Sequence, residues 1–134
     1  MIYDQVCNEI RKQWTDNFQT TVFFDNQPFV KRPDTPHVRF TIRWGSSEQT
    51  QIGVLRRFRQ QGDVLIQIFH PTGSGDKASN QFVNSVIDKF GAVTLPTNGV
   101  VFMTPYPTPI GESDGWWQVD VACPFYFDYT KESQ

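Results

Sequence analysis

His37-Val38-Arg39-Phe40-Thr41-Ile42-Arg43-Trp44 opens the stretch that decides the fold. It leads through a basic segment, Arg56-Arg57-Phe58-Arg59, and through Ile66-Gln67-Ile68-Phe69-His70-Pro71-Thr72-Gly73-Ser74-Gly75 into a run ending Ile87-Asp88-Lys89-Phe90. Strict alternation in the first segment puts Val38, Phe40, Ile42 and Trp44 on one face and His37, Arg39, Thr41 and Arg43 on the other, the pattern of a strand with one buried face. Gly45-Ser46-Ser47 is read as its end. Two further strands are predicted at about 49–59 and 63–69, turning through Gln60-Gln61-Gly62 into a hairpin whose first arm carries Arg56, Arg57 and Arg59. Thr72-Gly73-Ser74-Gly75 then breaks the sheet and Ser74 or Asp76 is placed to cap a helix. Ala78, Phe82, Val83, Val86, Ile87 and Phe90 recur at helical spacing up to a stop at Gly91.

Working outward, Ile2, Tyr3, Val6, Cys7, Ile10 and Trp14 form an apolar stripe that predicts a helix over about 2–16, lying on the sheet. Thr21-Val22-Phe23-Phe24 reads as a short strand, followed by turn material at Asn26-Gln27-Pro28 and Pro33-Asp34-Thr35-Pro36. Beyond the second helix, Val93-Thr94-Leu95 and Val100-Val101-Phe102-Met103 are short strands around Pro96-Thr97-Asn98-Gly99. Thr104-Pro105-Tyr106-Pro107-Thr108-Pro109-Ile110-Gly111 reads as a proline-rich loop. The last strand runs from Trp116 to about Tyr129, with Pro124 interrupting it or marking an edge, and Lys131 to Gln134 reads as a frayed tail. The expected fold is α+β, a mostly antiparallel sheet with two main amphipathic helices packed on it. Its length of 134 residues fits a single domain over 1–134.

Twelve phenylalanines and 15% aromatic residues imply a core of rings on sheet faces. No apolar run approaches the roughly 20 residues needed to span a bilayer, and the N-terminus lacks the marks of a signal peptide, so a soluble protein made in a cytoplasm is expected, with no membrane contact. Cys7 and Cys123 stand far apart without a partner at metal-ligand spacing and read as small buried side chains. The net charge of −2 argues against a general nucleic-acid binder. That charge is unevenly spread: residues 1–60 carry +3 and residues 61–134 carry −5. Two readings stand, unlike surfaces that meet head to tail between copies, or ordinary scatter.

The motifs that suggest chemistry are weak in their context. Gly111-Glu112-Ser113-Asp114-Gly115 matches G-x-S-x-G, but a nucleophile elbow needs a strand before the serine and a helix after it, with its histidine later in the chain; His37 and His70 both come earlier. A turn entering the last strand accounts for the same residues. Gly73-Ser74-Gly75-Asp76-Lys77 lacks phosphate-loop spacing. Neither histidine has a carboxylate at fixed spacing, so each reads as a strand-end residue with a local hydrogen bond. Catalytic, cofactor-binding and metal residues are therefore expected to be none. Arg56, Arg57 and Arg59 either contact phosphate or an acidic partner or form a solvated strand face. Tyr106, Ile110 and Trp116 are candidates for a contact surface, since aromatics are enriched in interface cores; Trp116 and Trp117 must point to opposite faces of their strand.

The succession of an N-terminal helix, Val38-Arg39-Phe40-Thr41-Ile42, a basic hairpin, the Ile66–Gly75 junction, a helix ending Ile87-Asp88-Lys89-Phe90 and a closing Trp116–Tyr129 strand resembles the tail-terminator and tail-completion proteins of long-tailed bacteriophages, over nearly the whole chain. The resemblance implies a non-enzymatic structural protein of the virion tail, assembled in the host cytoplasm, that closes into a ring, hexameric in the family's usual form. Its implied partners are further copies of itself, the tail tube protein and the head-tail connector protein, with genomic DNA passing through the lumen without sequence-specific binding. Arg56, Arg57, Arg59, Tyr106, Ile110 and Trp116 are the interface or lumen candidates. The alternatives are another connector or minor tail protein, or a small ligand-binding or enzymatic α+β domain using His70, Asp76 and the glycine loop.

Overall fold

The computed structural model describes residues 2–24, 35–53, 55–73 and 76–132. The elements follow the order α1 (Ile2–Asn17), β1 (Thr21–Phe24), β2 (His37–Gln49), β3 (Leu55–Pro71), α2 (Lys77–Phe90), β4 (Thr94–Leu95), β5 (Val100–Phe102), β6 (Tyr106–Ser113) and β7 (Trp116–Glu132). They give an α+β fold: one mostly antiparallel seven-stranded sheet ordered β1-β2-β3-β7-β5-β4, with β6 also on β7. Among the described strands only β1 runs parallel to its neighbour, β2.

The spine is the antiparallel pair β3 and β7, in unbroken register from Leu55↔Glu132 to Pro71↔Trp116. Side chains of even number on β2 and β3 and odd number on β7 share one face, and there Val38, Phe40, Val64, Ile66, Ile68, Val119, Val121, Cys123, Phe125 and Phe127 are buried. Both helices lie on this face because each carries its own stripe: Val6, Ile10 and Trp14 on α1, and Val83, Val86 and Phe90 on α2. Trp14 joins the layers, stacked 4.2 Å from Phe18 and edge-on at 5.6 Å to Phe40. Tyr3 closes the core at one end. Its ring meets Trp44 at 4.9 Å and Phe127 at 5.7 Å, and its hydroxyl donates to Gln60 Oε1 at 2.7 Å.

The expected hairpin turn at Gln60-Gln61-Gly62 does not occur. β3 runs straight through these residues, and β2 continues past Gly45-Ser46-Ser47, where the register slips in a bulge between Trp44 and Ser47. The chain reverses instead after Gln49, where the Arg57 carbonyl accepts from the Thr50 amide and hydroxyl and from the Gln51 amide. Gly62 is there for close packing: a Cβ on it would lie 2.7 Å from the Arg43 carbonyl oxygen and 2.9 Å from Phe125 Cζ.

Pro124 neither interrupts β7 nor lies on an outer strand. It pairs with Asp63 of β3 on one side. On the other, β5 ends opposite Phe125 and β6 begins opposite Ala122, and the Pro124 carbonyl accepts from the Met103 amide at 2.9 Å. The missing proline N–H therefore falls where one neighbouring strand gives way to the next, and no ladder bond is lost. The proline-rich stretch is likewise the edge strand β6 rather than a loop. Pro107 and Pro109 stand at alternate positions, opposite Val121 and Val119. Alternate residues of a strand direct their backbone groups to opposite sides, so a strand can carry prolines on its outer side and still pair on its inner one.

α2 ends at Gly91 as expected, but not through a left-handed cap. Gly91 is extended, donates to the Ile87 carbonyl at 2.7 Å, and has no room for a Cβ, which would meet that oxygen at 2.5 Å. Asp76 takes the N-cap position without a side-chain bond to the helix; Ser74, like the expected turns at Asn26-Gln27-Pro28 and Pro33-Asp34, falls outside the described residues. Lys131 and Glu132 belong to β7 rather than to a frayed tail.

Candidate interaction surfaces

Among the described residues no helix covers the other face of the sheet, and on it the basic and acidic halves of the sequence meet within one chain. Arg43 on β2 forks onto Asp63 on β3, with Nε to Oδ1 at 2.8 Å and Nη2 to Oδ2 at 2.6 Å. Arg59 on β3 does the same to Asp128 on β7, at 2.9 and 3.1 Å, and its guanidinium lies 4.1 Å from the Tyr126 ring centroid. The bond from Arg59 holds the Asp128 carboxyl below the usual range, and the bond that Arg43 donates to Asp63 raises the Arg43 guanidinium. Such exposed pairs add little stability, typically about 0–1 kcal/mol. Their consequence is electrostatic: each pair joins a basic residue of the first half of the sequence to an acid of the second, and of the basic segment's three arginines Arg59 is the one so paired among the described residues.

Arg59 is thus engaged inside its own subunit, whereas Arg56 and Arg57 are exposed and form no ion pair among the described residues. They point to opposite faces of β3 near its start. There β2, β3 and β7 run on beyond the core, with residues 43–53 all exposed. At the reversal between β2 and β3, Ile52 is 93% exposed. The alternation that placed 49–59 in a single strand concealed this residue; once Gly62 is a packing glycine and the turn moves to 50–53, an isoleucine is left in solvent.

Tyr106 and Ile110 lie on the edge strand β6 and are 54% and 55% exposed. Trp116 is half-buried, 4.8 Å edge-on to His37, which stacks on Phe69 at 4.9 Å. Trp117, on the opposite face, packs against the core. The structure does not gather the six candidates into one patch: Arg56, Arg57 and Arg59 are at one end of the β3/β7 spine, Trp116 is at the other, and Tyr106 and Ile110 run along the β6 edge.

The chemical motifs resolve simply. Ser113-Asp114-Gly115-Trp116 is the tight turn between β6 and β7, with positive φ at Asp114 (52°) and Gly115 (82°), so a strand follows the serine where an elbow needs a helix. His37 Nδ1 is 3.0 Å from the Thr35 carbonyl oxygen. His70 lies buried beside Phe82, and its pKa is lowered by burial and by the nearby His37, while Asp76 is exposed at the start of α2. Among the described residues there is no cluster of three His, Cys, Asp or Glu side chains able to hold a metal, and no helix is long and apolar enough to cross a membrane. A groove of about 490 Å³ between α1 and the 96–99 turn is lined in part by Glu9. That carboxylate is already bonded to the Thr97 and Asn98 amides at 2.9 and 3.0 Å.

At the end of the sheet opposite the Arg56–Arg57 segment, Pro71, Thr72, Gly73 and Trp117 line a cleft of about 220 Å³ with Asp76 and Glu112. Asp114 stands in the adjoining turn. Three exposed carboxylates against Lys77 make this end acidic.

Comparison with known proteins adds three findings. The family described as Phage tail terminator protein matches residues 1–125. A solved structure superposes with a TM-score of 0.67 over 93% of this chain and 97% of that chain at 13% identity, a likeness that extends to the fold alone. None of the curated proteins matches.

Proposed function

The chain belongs to the phage tail terminator family, and on that premise we propose that it closes the end of a phage tail tube as a homo-oligomeric ring, hexameric in the form the resemblance implies, and offers the joining surface for the head connector. The observation that carries this reading is the family match over 1–125, nearly the entire chain. The physical features agree with a mechanical role. The candidate contact residues are spread over both ends and one edge of the sheet, which suits a ring subunit with two side faces and an axial face. In this reading Arg56 and Arg57 are the cations available to a neighbour or to passing DNA, with Arg59 held by Asp128.

Light scattering of the purified protein over a concentration series, alone and with isolated tail tubes, tests the proposal. A ring mass, in solution or only on tubes, with the protein at one end of each tube by electron microscopy, is the expected result. A 15.5 kDa monomer at every concentration, indifferent to tubes, would overturn it.

A further inference from the structure

The two ends of the β3/β7 spine are complementary. In β-geometry the sixteen steps from Leu55 to Pro71 span roughly 50 Å, so the ends cannot meet within one subunit. One end carries Ile52, 93% exposed, with Arg56 and Arg57 at the start of β3. The other carries the cleft of Pro71, Thr72, Gly73 and Trp117, bordered by the Asp76 and Glu112 carboxylates. An aliphatic side chain fully exposed on a hairpin is an anchor without a pocket; an apolar cleft between two acids is a pocket suited to an apolar group carried between cations.

We propose that the reversal bearing Ile52, with Arg56 and Arg57, docks into the Trp117 cleft of a second copy of this chain, Ile52 occupying the cleft while the two arginines face Asp76 and Glu112. This inference rests on the ring reading above and names its subunit contact. The contact is heterologous, joining one end of a subunit to the opposite end of the next, and repetition of such a contact closes a ring when the rotation permits. The charges set the register and speed encounter, and burial of the isoleucine holds the contact. Opposite faces of β3 carry Arg56 and Arg57, so the strand straddles the cleft with one cation on each side. The exposed pairs are screened as the Debye length shrinks from about 10 Å at 0.1 M salt to about 3 Å at 1 M, so assembly weakens with salt.

The test uses two full-length variants, R56E/R57E and D76K/E112K, all at exposed positions, followed by light scattering singly and mixed one to one. Each alone is expected to assemble about tenfold or more weakly than the unmodified protein, because Glu then faces Asp and Glu, or Lys faces Arg. The mixture is expected to recover the original mass, since every contact in an alternating ring again joins opposite charges. Variants that keep the unmodified mass singly, or a mixture that fails to recover it, overturn the proposed contact while leaving the ring reading in place. An unmodified protein that is monomeric with and without tubes overturns both. Should a charge variant fail to fold by circular dichroism, the pair Ile52→Cys with Thr72→Cys decides. Mild oxidation of that chain yields a ladder of covalent oligomers if the ends meet between copies, and its absence from an assembled sample refutes the contact.

Discussion

Replacing Gly62 by alanine tests the account of how the three long strands fit together. Gly62 lies in the middle of β3, opposite Trp44 of β2 and Phe125 of β7. A methyl group there would sit 2.7 Å from the Arg43 carbonyl oxygen and 2.9 and 3.3 Å from Phe125 Cζ and Cε1. The ring edge can tilt, but the carbonyl belongs to the β2 backbone, so β2 must move away at its bulge or β3 must buckle. Overpacking of this kind costs about 1–3 kcal/mol. Alanine also removes freedom from the unfolded chain, which returns about 0.4–1 kcal/mol. The net expectation is a loss of about 1–2 kcal/mol, or roughly 3–10 °C in Tm for a domain of this size. Urea unfolding followed by circular dichroism measures it, with all samples at one protein concentration because assembly shifts apparent stability. Measured in a Phe125→Leu background, itself destabilised by loss of a fully buried ring, the Gly62→Ala loss should be smaller but not abolished, since the ring contact is relieved and the carbonyl contact remains. A Gly62→Ala protein as stable as the original, or more so, would refute the packing argument and favour a turn at 60–62.

Trp14→Ala removes a fully buried ring shared by both helices and β2, and should cost about 3–5 kcal/mol in the same assay; a loss below about 1 kcal/mol would mean the core repacks without it. His70 has its pKa lowered by burial first and by His37 second, so the unfolded chain, with a value near 6.5, binds the proton more readily than the folded one. Stability is therefore full above pH about 6.5 and declines as pH falls through that value, and His70→Gln should flatten the slope of Tm between pH 7 and 5; an unchanged slope would assign the acid sensitivity to other groups. Burial pushes the Cys123 thiol up to about 12, so alkylation at pH 8 should leave Cys123 unmodified in the folded protein and label it only after denaturation, as peptide mass spectrometry would show.

Much of this was legible in the sequence. The 2–16 stripe, the alternation of 37–44 and the periodicity of 78–90 each describe a local period of side chains, and a local period is sufficient to fix a helix or strand and the face it buries. Gly91 was rightly read as a stop and Asp114-Gly115 as a turn, since both act through the few residues around them. The continuity of β3 was not legible, because Gly62 looks the same in a turn as under the Phe125 ring, and only the register of strands 63 positions apart distinguishes the two. Pro124 misled for a similar reason: its missing donor is costly or harmless according to which strand lies alongside, and β5 and β6 happen to divide at that point.

The candidate surfaces divide the same way. The arginines, the exposed aromatics and the uneven charge were visible as residue types in order. That Arg59 is spent on Asp128, 69 positions away, that Ile52 is left in solvent, and that Arg56 and the Asp76–Glu112 cleft stand at opposite ends of one spine follow from long-range pairing alone. The sequence by itself determined both helices and the buried faces of the strands at 37–44 and 63–69, because these rest on local periodicities, and its order of parts carried the family resemblance. Only the tertiary structure decided which charges are neutralised within the subunit and which remain for a neighbour, because charge pairing depends on distances in space that strand register sets.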